Sequence, residues 1–184
     1  SNNRPALVFC TSRQSTHLGA SALVRCIHSQ ASLGSPIFQN IFTDALSDYQ
    51  KALLAETAAR CCSKPNRDLL VHGIAVHHAD IATQDRTLIE NMFRQQLIRV
   101  LFATTTLAQG VNLPAHLVII KSTSVYSMGT MQEYDRNTIL QMMGRAGRPQ
   151  YDVKGVAVIM TENNKVREYE RICAGEYGNI ESQL

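Results

Sequence analysis

Hydrophobic positions follow two rhythms along this chain. Short unbroken apolar runs alternate with longer stretches in which apolar residues recur every three or four positions. The runs are A-L-V-F-C at Ala6–Cys10, I-A-V-H at Ile74–His77, R-V-L-F-A at 99–103, L-V-I-I-K at 117–121 and G-V-A-V-I-M-T at 155–161. They are short and mostly β-branched, which predicts strands buried on both faces. Between them Leu18, Ala22, Leu23, Cys26 and Ile27 keep helical spacing, as do Leu46, Tyr49, Leu53, Ala58 and Cys61 within 44–62. Breaks at Gly34-Ser35-Pro36 and Ser63-Lys64-Pro65-Asn66 bound these segments, and a short helical piece precedes residue 74. Thr83 predicts the cap of a helix burying Leu88, Ile89, Met92 and Phe93. Asp135 predicts the cap of another, and 163–173 a last one. Apolar strands alternating with helices predict an α/β domain, its mainly parallel sheet covered by helices on both faces.

In such sheets ligands bind beyond the carboxyl ends of the strands. Polar clusters fall there: Thr11-Ser12-Arg13 after the first run, His77-His78 after the second, Thr104-Thr105-Thr106 after the third, Ser122-Thr123 after the fourth. Adjacent histidines on a strand face opposite ways, so at most one enters a site, and His78 is nearer the strand's end. Ser12 and Thr105 each precede a helical pattern and have helix capping as an alternative role.

Composition narrows the class. The chain of 184 residues is long enough for one domain with a sizeable core. No apolar run reaches the length of a membrane span, and residues 1–5 are too polar to open a signal peptide, so a soluble domain without membrane partners is expected. The net charge of +3 is small, but thirteen arginines and five lysines make up the 18 basic residues. Arginine presents a planar fork suited to phosphate. The five cysteines include no C-x-x-C pair, so a reducing compartment is expected, and Cys61-Cys62 lacks zinc-ligand spacing, so no metal site is expected.

The most informative stretch is Q-M-M-G-R-A-G-R-P at 141–149. Glycine inside a helix costs about 1 kcal/mol relative to alanine, and this segment carries both Gly144 and Gly147. If 138–148 is helical, Ile139, Met142, Met143 and Ala146 form a core stripe, while Gln141, Arg145 and Arg148 share a second face. Two guanidinium forks and an amide flanked by bare glycines suit a polyphosphate.

Q-M-M-G-R-A-G-R-P resembles motif VI of superfamily-two helicases. V-F-C-T-S-R (8–13) resembles their motif IV and H-H-A-D-I-A-T-Q-D-R (77–86) motif IVa. A-T-T-T-L-A-Q-G-V-N-L-P-A (103–115) resembles motif V of the Ski-like group. The motifs occur in the right order and span residues 5–161. The resemblance implies a three-layer RecA-like domain: residues 1–184 as the second lobe of a helicase, with 162–184 opening a linker to a following domain. Within the Ski-like group, I-K-S-T (120–123) with E-Y-D-R-N-T-I-L-Q-M (133–142) is most similar to the meiotic crossover DNA helicases. Spliceosomal relatives share G-V-N-L-P-A-H and G-R-A-G-R-P-Q-Y-D.

The resemblance further implies that Arg145 and Arg148 are arginine fingers for ATP held between two lobes, and that Gln141 senses the γ-phosphate or places the attacking water. Gly110 and Asn112 would lie at the nucleotide cleft. Thr11, Ser12, Arg13, His78, Thr104 and Thr105 would lie along single-stranded or branched DNA. Mg2+ and most ATP contacts would belong to a first lobe, since this sequence contains no G-x-x-x-x-G-K-[ST] loop and no D-E-x-H box. The chain alone is expected to hydrolyse no ATP. A nuclear location follows from the same likeness. An RNA-processing helicase lobe and a non-catalytic nucleic-acid-binding module stand as alternatives. Two departures stand out. Asp80-Ile81 replaces the glycine and apolar neighbour usual in motif IVa, and Gln96 stands where a turn glycine is common. Residues 29–72 match no motif.

Overall fold

The structure is a computed structural model that describes residues 4–32, 42–127 and 129–175. The break at Gly34-Ser35-Pro36 lies outside the described residues. In chain order the elements are β1 (Ala6–Cys10), α1 (Arg13–Ser32), α2 (Asp48–Arg60), α3 (Lys64–Leu70), β2 (Ile74–His77), α4 (Thr83–Arg94) and β3 (Val100–Thr104). Then follow α5 (Thr106–Gly110), β4 (Leu117–Ile120), β5 (Ser124–Ser127), β6 (Thr130–Glu133), α6 (Arg136–Met143), β7 (Val156–Ile159) and α7 (Val166–Ala174).

Five strands form one sheet in the order β2-β3-β1-β4-β7, every neighbouring pair parallel. Alternation along the strands divides their side chains between two layers. Leu7, Phe9, Ala75, Leu101, Ala103, Val118 and Ile120 pack with Ile89, Met92 and Phe93 of α4, Leu107 of α5 and Ile139 and Met142 of α6. Val8, Ile74, Val76, Val100 and Phe102 pack with Ala20 and Ile27 of α1 and Leu69 of α3. Burying each such leucine, isoleucine or phenylalanine contributes about 1.5–3 kcal/mol. The chain leaves β1 toward β2 over the α1 side, and its later moves toward β3, β4 and β7 cross the other side. All the crossovers therefore share one hand, as the right-handed preference requires. The three-layer α/β architecture expected from the strand and helix pattern is present.

Every expected strand is found, within a residue or two of its expected ends. Four local features differ from expectation. Helix α2 begins only at Asp48, because Ser47 and Gln50 form a reciprocal capping box (Gln50 N to Ser47 Oγ, 3.2 Å; Ser47 N to Gln50 Oε1, 3.0 Å). The break at 63–66 is itself a helix start: Ser63 caps α3 and Pro65 occupies its first turn, where a missing N–H is harmless. Thr83 is not a cap, since Ala82 holds that position without a side-chain bond. The unforeseen β5–β6 hairpin is largely polar, with β6 exposed and β5 mostly half-buried, and leaves no apolar rhythm to read.

Two carboxylates hold loops in place. Asp85, 1% exposed, accepts the Cys62 N–H at 3.0 Å and the Ser63 N–H at 2.8 Å, tying α4 to the turn before α3. Burial opposes its ionisation, but these donors outweigh it and hold the carboxyl below its usual range. The Asp85-Arg86 segment is thus structural, through backbone donors rather than an ion pair. Glu133 at the end of the hairpin accepts from Lys165 Nζ (2.5 Å), Ser124 Oγ (2.5 Å) and Tyr169 Oη (2.6 Å), tying β6 to α7. Here too burial resists ionisation and the donors prevail, leaving the carboxyl at about 2.

Candidate functional site

The carboxyl edge of the sheet gathers most of the expected nucleic-acid residues. Ser12 precedes α1 and shares a reciprocal pair of bonds with Ser15 (Ser15 N to Ser12 Oγ, 3.1 Å; Ser12 N to Ser15 Oγ, 2.9 Å), so its hydroxyl serves as the helix cap. Its hydroxyl and its own N–H are both taken up within that turn. Arg13 is exposed and forms an ion pair with Asp80, just beyond β2. Thr11 is half-buried. Thr104 and Thr106 share a hydrogen bond at 3.0 Å across the start of α5, and Thr105 between them makes no side-chain cap bond.

The two histidines diverge as strand alternation requires. His77 Nε2 meets Glu90 on α4 at 2.9 Å, while His78 Nε2 lies 3.0 Å from Nε2 of His17 on α1. Both are buried, at 4% and 7% exposure, so His78 reaches the edge as a packed residue with its partner His17. Burial pushes His17, His77 and His78 below their ordinary value. Glu90 partly offsets this at His77, and His17 reinforces it at His78. One ring of the His17–His78 pair donates and the other accepts.

The Q-M-M-G-R-A-G-R-P stretch sits elsewhere. Helix α6 runs back from the carboxyl side and ends at Met143 with Gly144 as its cap, so 138–148 is not one helix. The expectation that Gln141, Arg145 and Arg148 share a helical face fails for a backbone reason. Ala146 bridges to Ala115, with Ala115 N donating to Arg145 O (2.9 Å) and Gly147 N to Ala115 O (2.7 Å). Gly147 turns with φ +97, where a side chain is strained. A Cβ on Gly155, at the approach to β7, would collide with the backbone of Ala146 and Gly147. These glycines let the arginine-bearing loop lie flat against the start of β7.

This loop lies toward the amino ends of the strands. The loop backbone is therefore set apart from the polar edge, but the Arg145 fork reaches the Ala108 carbonyl of α5, and Ala108 N in turn donates to the Thr105 carbonyl at 2.9 Å. Helix α5 leads from the polar edge toward the loop, starting beside Thr104 and finishing at Gly110, just before Asn112.

The three expected catalytic side chains differ in their circumstances. Gln141 is exposed on α6. Arg145 donates from Nη1 to Asn112 Oδ1 at 2.8 Å and from Nη2 to the Ala108 carbonyl. Both acceptors are neutral, so they position the guanidinium without cancelling its charge. Asn112 is therefore more than a turn residue. Arg148 is neutralised: Nε and Nη2 grip Asp152 at 2.8 and 3.0 Å, and the Asp152 side chain is fully buried. Hydrogen bonding by Arg148, working against burial, holds the Asp152 carboxyl at about 2. His116 (3.4 Å) and Arg4 (3.7 Å) face the same carboxylate. Arg148 Nη1 is buried with no hydrogen-bond partner. A cavity of about 270 Å³ opens beside it, lined by Phe93, Leu113, Pro114 and Tyr151 among others.

Sequence reasoning missed Asp152, although its place four residues after Arg148 was a usable signal. The turn that unites them is closed by Tyr151 N and Asp152 N, both donating to Arg148 O at 2.9 Å. Among the described residues no group of three or more histidine, cysteine, aspartate or glutamate side chains is placed to hold a metal ion, and no helix is long and apolar enough to cross a membrane.

A search for related sequences matches residues 42–150 to the helicase conserved C-terminal domain. The chain belongs to that family. This helicase C-terminal domain is 40% identical over 187 residues to a protein of Oryza sativa subsp. japonica named ATP-dependent DNA helicase MER3 homolog. It is 41% identical over 187 residues to the probable ATP-dependent DNA helicase HFM1 of Mus musculus. Against the human U5 small nuclear ribonucleoprotein 200 kDa helicase it is 43% identical over 180 residues. The alignments cover 100%, 100% and 97% of this chain but only 15%, 12% and 8% of those proteins, so the chain spans a small fraction of the relatives' length.

Proposed function

We propose that this chain is the second motor lobe of an ATP-dependent DNA helicase that serves meiotic recombination in the nucleus. Arg145 carries the reading. It alone of the two loop arginines keeps its charge uncompensated while two neutral acceptors hold its fork, the arrangement required of a group that stabilises charge developing on a transferred phosphoryl. Arg148 is the second finger and must exchange Asp152 for phosphate to act. Gln141 helps place water or senses the terminal phosphate. Gly110 and Asn112 couple this loop to α5, and α5 leads to the threonines of the carboxyl edge.

Among the described residues nothing supplies a magnesium-binding carboxylate set, and Mg2+ and the remaining phosphate contacts belong to a first lobe of the same polypeptide. Bound there, the ion neutralises phosphate charge. The arginine loop of this lobe closes the other side of the cleft and orients its forks. At the carboxyl edge Thr11, Arg13, Thr104 and Thr105 follow a single-stranded backbone without reading bases. His78 supports this edge by packing on His17.

The DNA assignment is supported by the names of the MER3 and HFM1 relatives. The comparable likeness to the U5 200 kDa helicase keeps an RNA substrate as the second reading. Unwinding of matched DNA and RNA duplexes by the complete polypeptide separates them. Preference for the DNA duplex is expected, and efficient unwinding of RNA alone overturns the DNA assignment.

A further inference from the structure

The Arg13–Asp80 pair joins two elements of the polar edge. Arg13 opens α1 immediately after the Ser12 cap, and Asp80 sits in the turn between β2 and α4. Their side chains are 59% and 55% exposed, so the pair stands in water and any polyanion on this edge reaches it. Among the described residues Asp80 is the ion-pair partner of Arg13. A carboxylate engages an arginine through the donors that a phosphate uses, and Asp80 holds the position where motif IVa usually carries a residue without charge.

We propose that Asp80 competes with nucleic-acid phosphates for Arg13, making this end of the strand track a weak contact that releases readily. The inference rests on the reading of the carboxyl edge as a nucleic-acid track. An exposed ion pair is weak, so a phosphate of an arriving strand displaces Asp80. The displaced carboxylate stays beside the strand, repels it, and recaptures Arg13 when the phosphate moves on. A motor that steps along a backbone gains from such a contact, because a fully committed arginine would hold each phosphate longer. The site's net charge before binding is near zero with Asp80 present and +1 without it. Counterion release therefore reports the competition directly.

The test is equilibrium binding of single-stranded oligothymidylate to the complete polypeptide without nucleotide, from about 50 to about 200 mM salt. Asp80→Asn is expected to tighten binding by about two- to tenfold at the low-salt end and to steepen the log–log salt slope by about 0.7, the increment for one more phosphate neutralised on a single strand. Arg13→Ala is expected to weaken binding, and adding Asp80→Asn to it to recover less affinity than Asp80→Asn gains alone. If Arg13→Ala weakens binding while Asp80→Asn leaves affinity and slope unchanged or reduces them, the competition is refuted and the track reading stands. If Arg13→Ala has no effect, Arg13 does not touch the strand, and both the competition and this part of the track are overturned.

Discussion

Replacing Asp152 with alanine leaves a buried arginine with nothing to neutralise it. The Asp152 side chain has no exposed surface and Arg148 only 11%, and the two are joined by bonds of 2.8 and 3.0 Å. Removing one partner of a buried pair typically costs about 3–5 kcal/mol, because the remaining charge stays desolvated. Arg4 at 3.7 Å loses the same counter-charge, which argues for the upper part of that range. In a domain of this size each kcal/mol moves Tm by about 2–4 °C, so a fall of roughly 6–20 °C is expected. The loss carries a pH signature. Asp152 ionises at about 2 in the folded chain against an ordinary 3.8. A depressed carboxylate stabilises fully above its unfolded value, and that stabilisation disappears as pH falls through the folded one. The gap between wild type and Asp152→Ala is therefore expected to be full at pH 7 and to narrow as pH falls from about 4 toward about 2. Urea unfolding followed by circular dichroism across that range measures it. The double variant Arg148→Met/Asp152→Ala is expected to recover much of the loss, since apolar replacement of both partners removes the stranded charge. A loss below about 1 kcal/mol at pH 7, or one that persists unchanged in acid, refutes the locked pair.

Other consequences are equally open to measurement. Because burial lowers His17, His77 and His78 below 6.5, the unfolded chain takes up their protons first, and stability is expected to fall as pH drops below about 6.5. His78→Gln should flatten that slope in pH-dependent melting, and an unaltered slope contradicts burial of the pair. Gly155→Ala is expected to lower Tm sharply and to displace the arginine loop, since the new methyl meets the Ala146–Gly147 backbone. A variant with wild-type stability would show that the loop does not lie against β7. The 184-residue chain alone is expected to release no phosphate from ATP above background, and steady turnover by it would contradict the two-lobe reading.

The sheet was legible because its strands are continuous apolar runs, and Ala6–Cys10 and Ile74–His77 appear at their expected residues. The carboxyl-edge clusters were legible from topology alone, since whatever follows a parallel strand must lie at that edge. The arginine loop was not legible in detail. Helical periodicity extrapolates smoothly through 138–148, and only the Ala115–Ala146 bridge and the positive φ of Gly147 break it. Those depend on where β4 and β7 place their neighbours, a long-range fact invisible to local spacing. The same holds for the pairings of Arg145 with Asn112, 33 residues away, and of Arg13 with Asp80, 67 away. The hairpin escaped because residues 124–133 bury too little to show a pattern. Val156, Val158 and Met160 were foreseen as a strand buried on both faces, yet they remain 45%, 42% and 51% exposed, because no described helix covers that side of β7.

Single-turnover hydrolysis by the complete polypeptide, in excess over ATP and saturated with single-stranded DNA, tests the central role of Arg145 most directly. Arg145→Ala is expected to slow the chemical step by about 10³-fold or more, as loss of an arginine finger does, while ATP affinity changes far less. Hydrolysis within about tenfold of wild type would mean that the fork held by Asn112 and Ala108 never meets the phosphate.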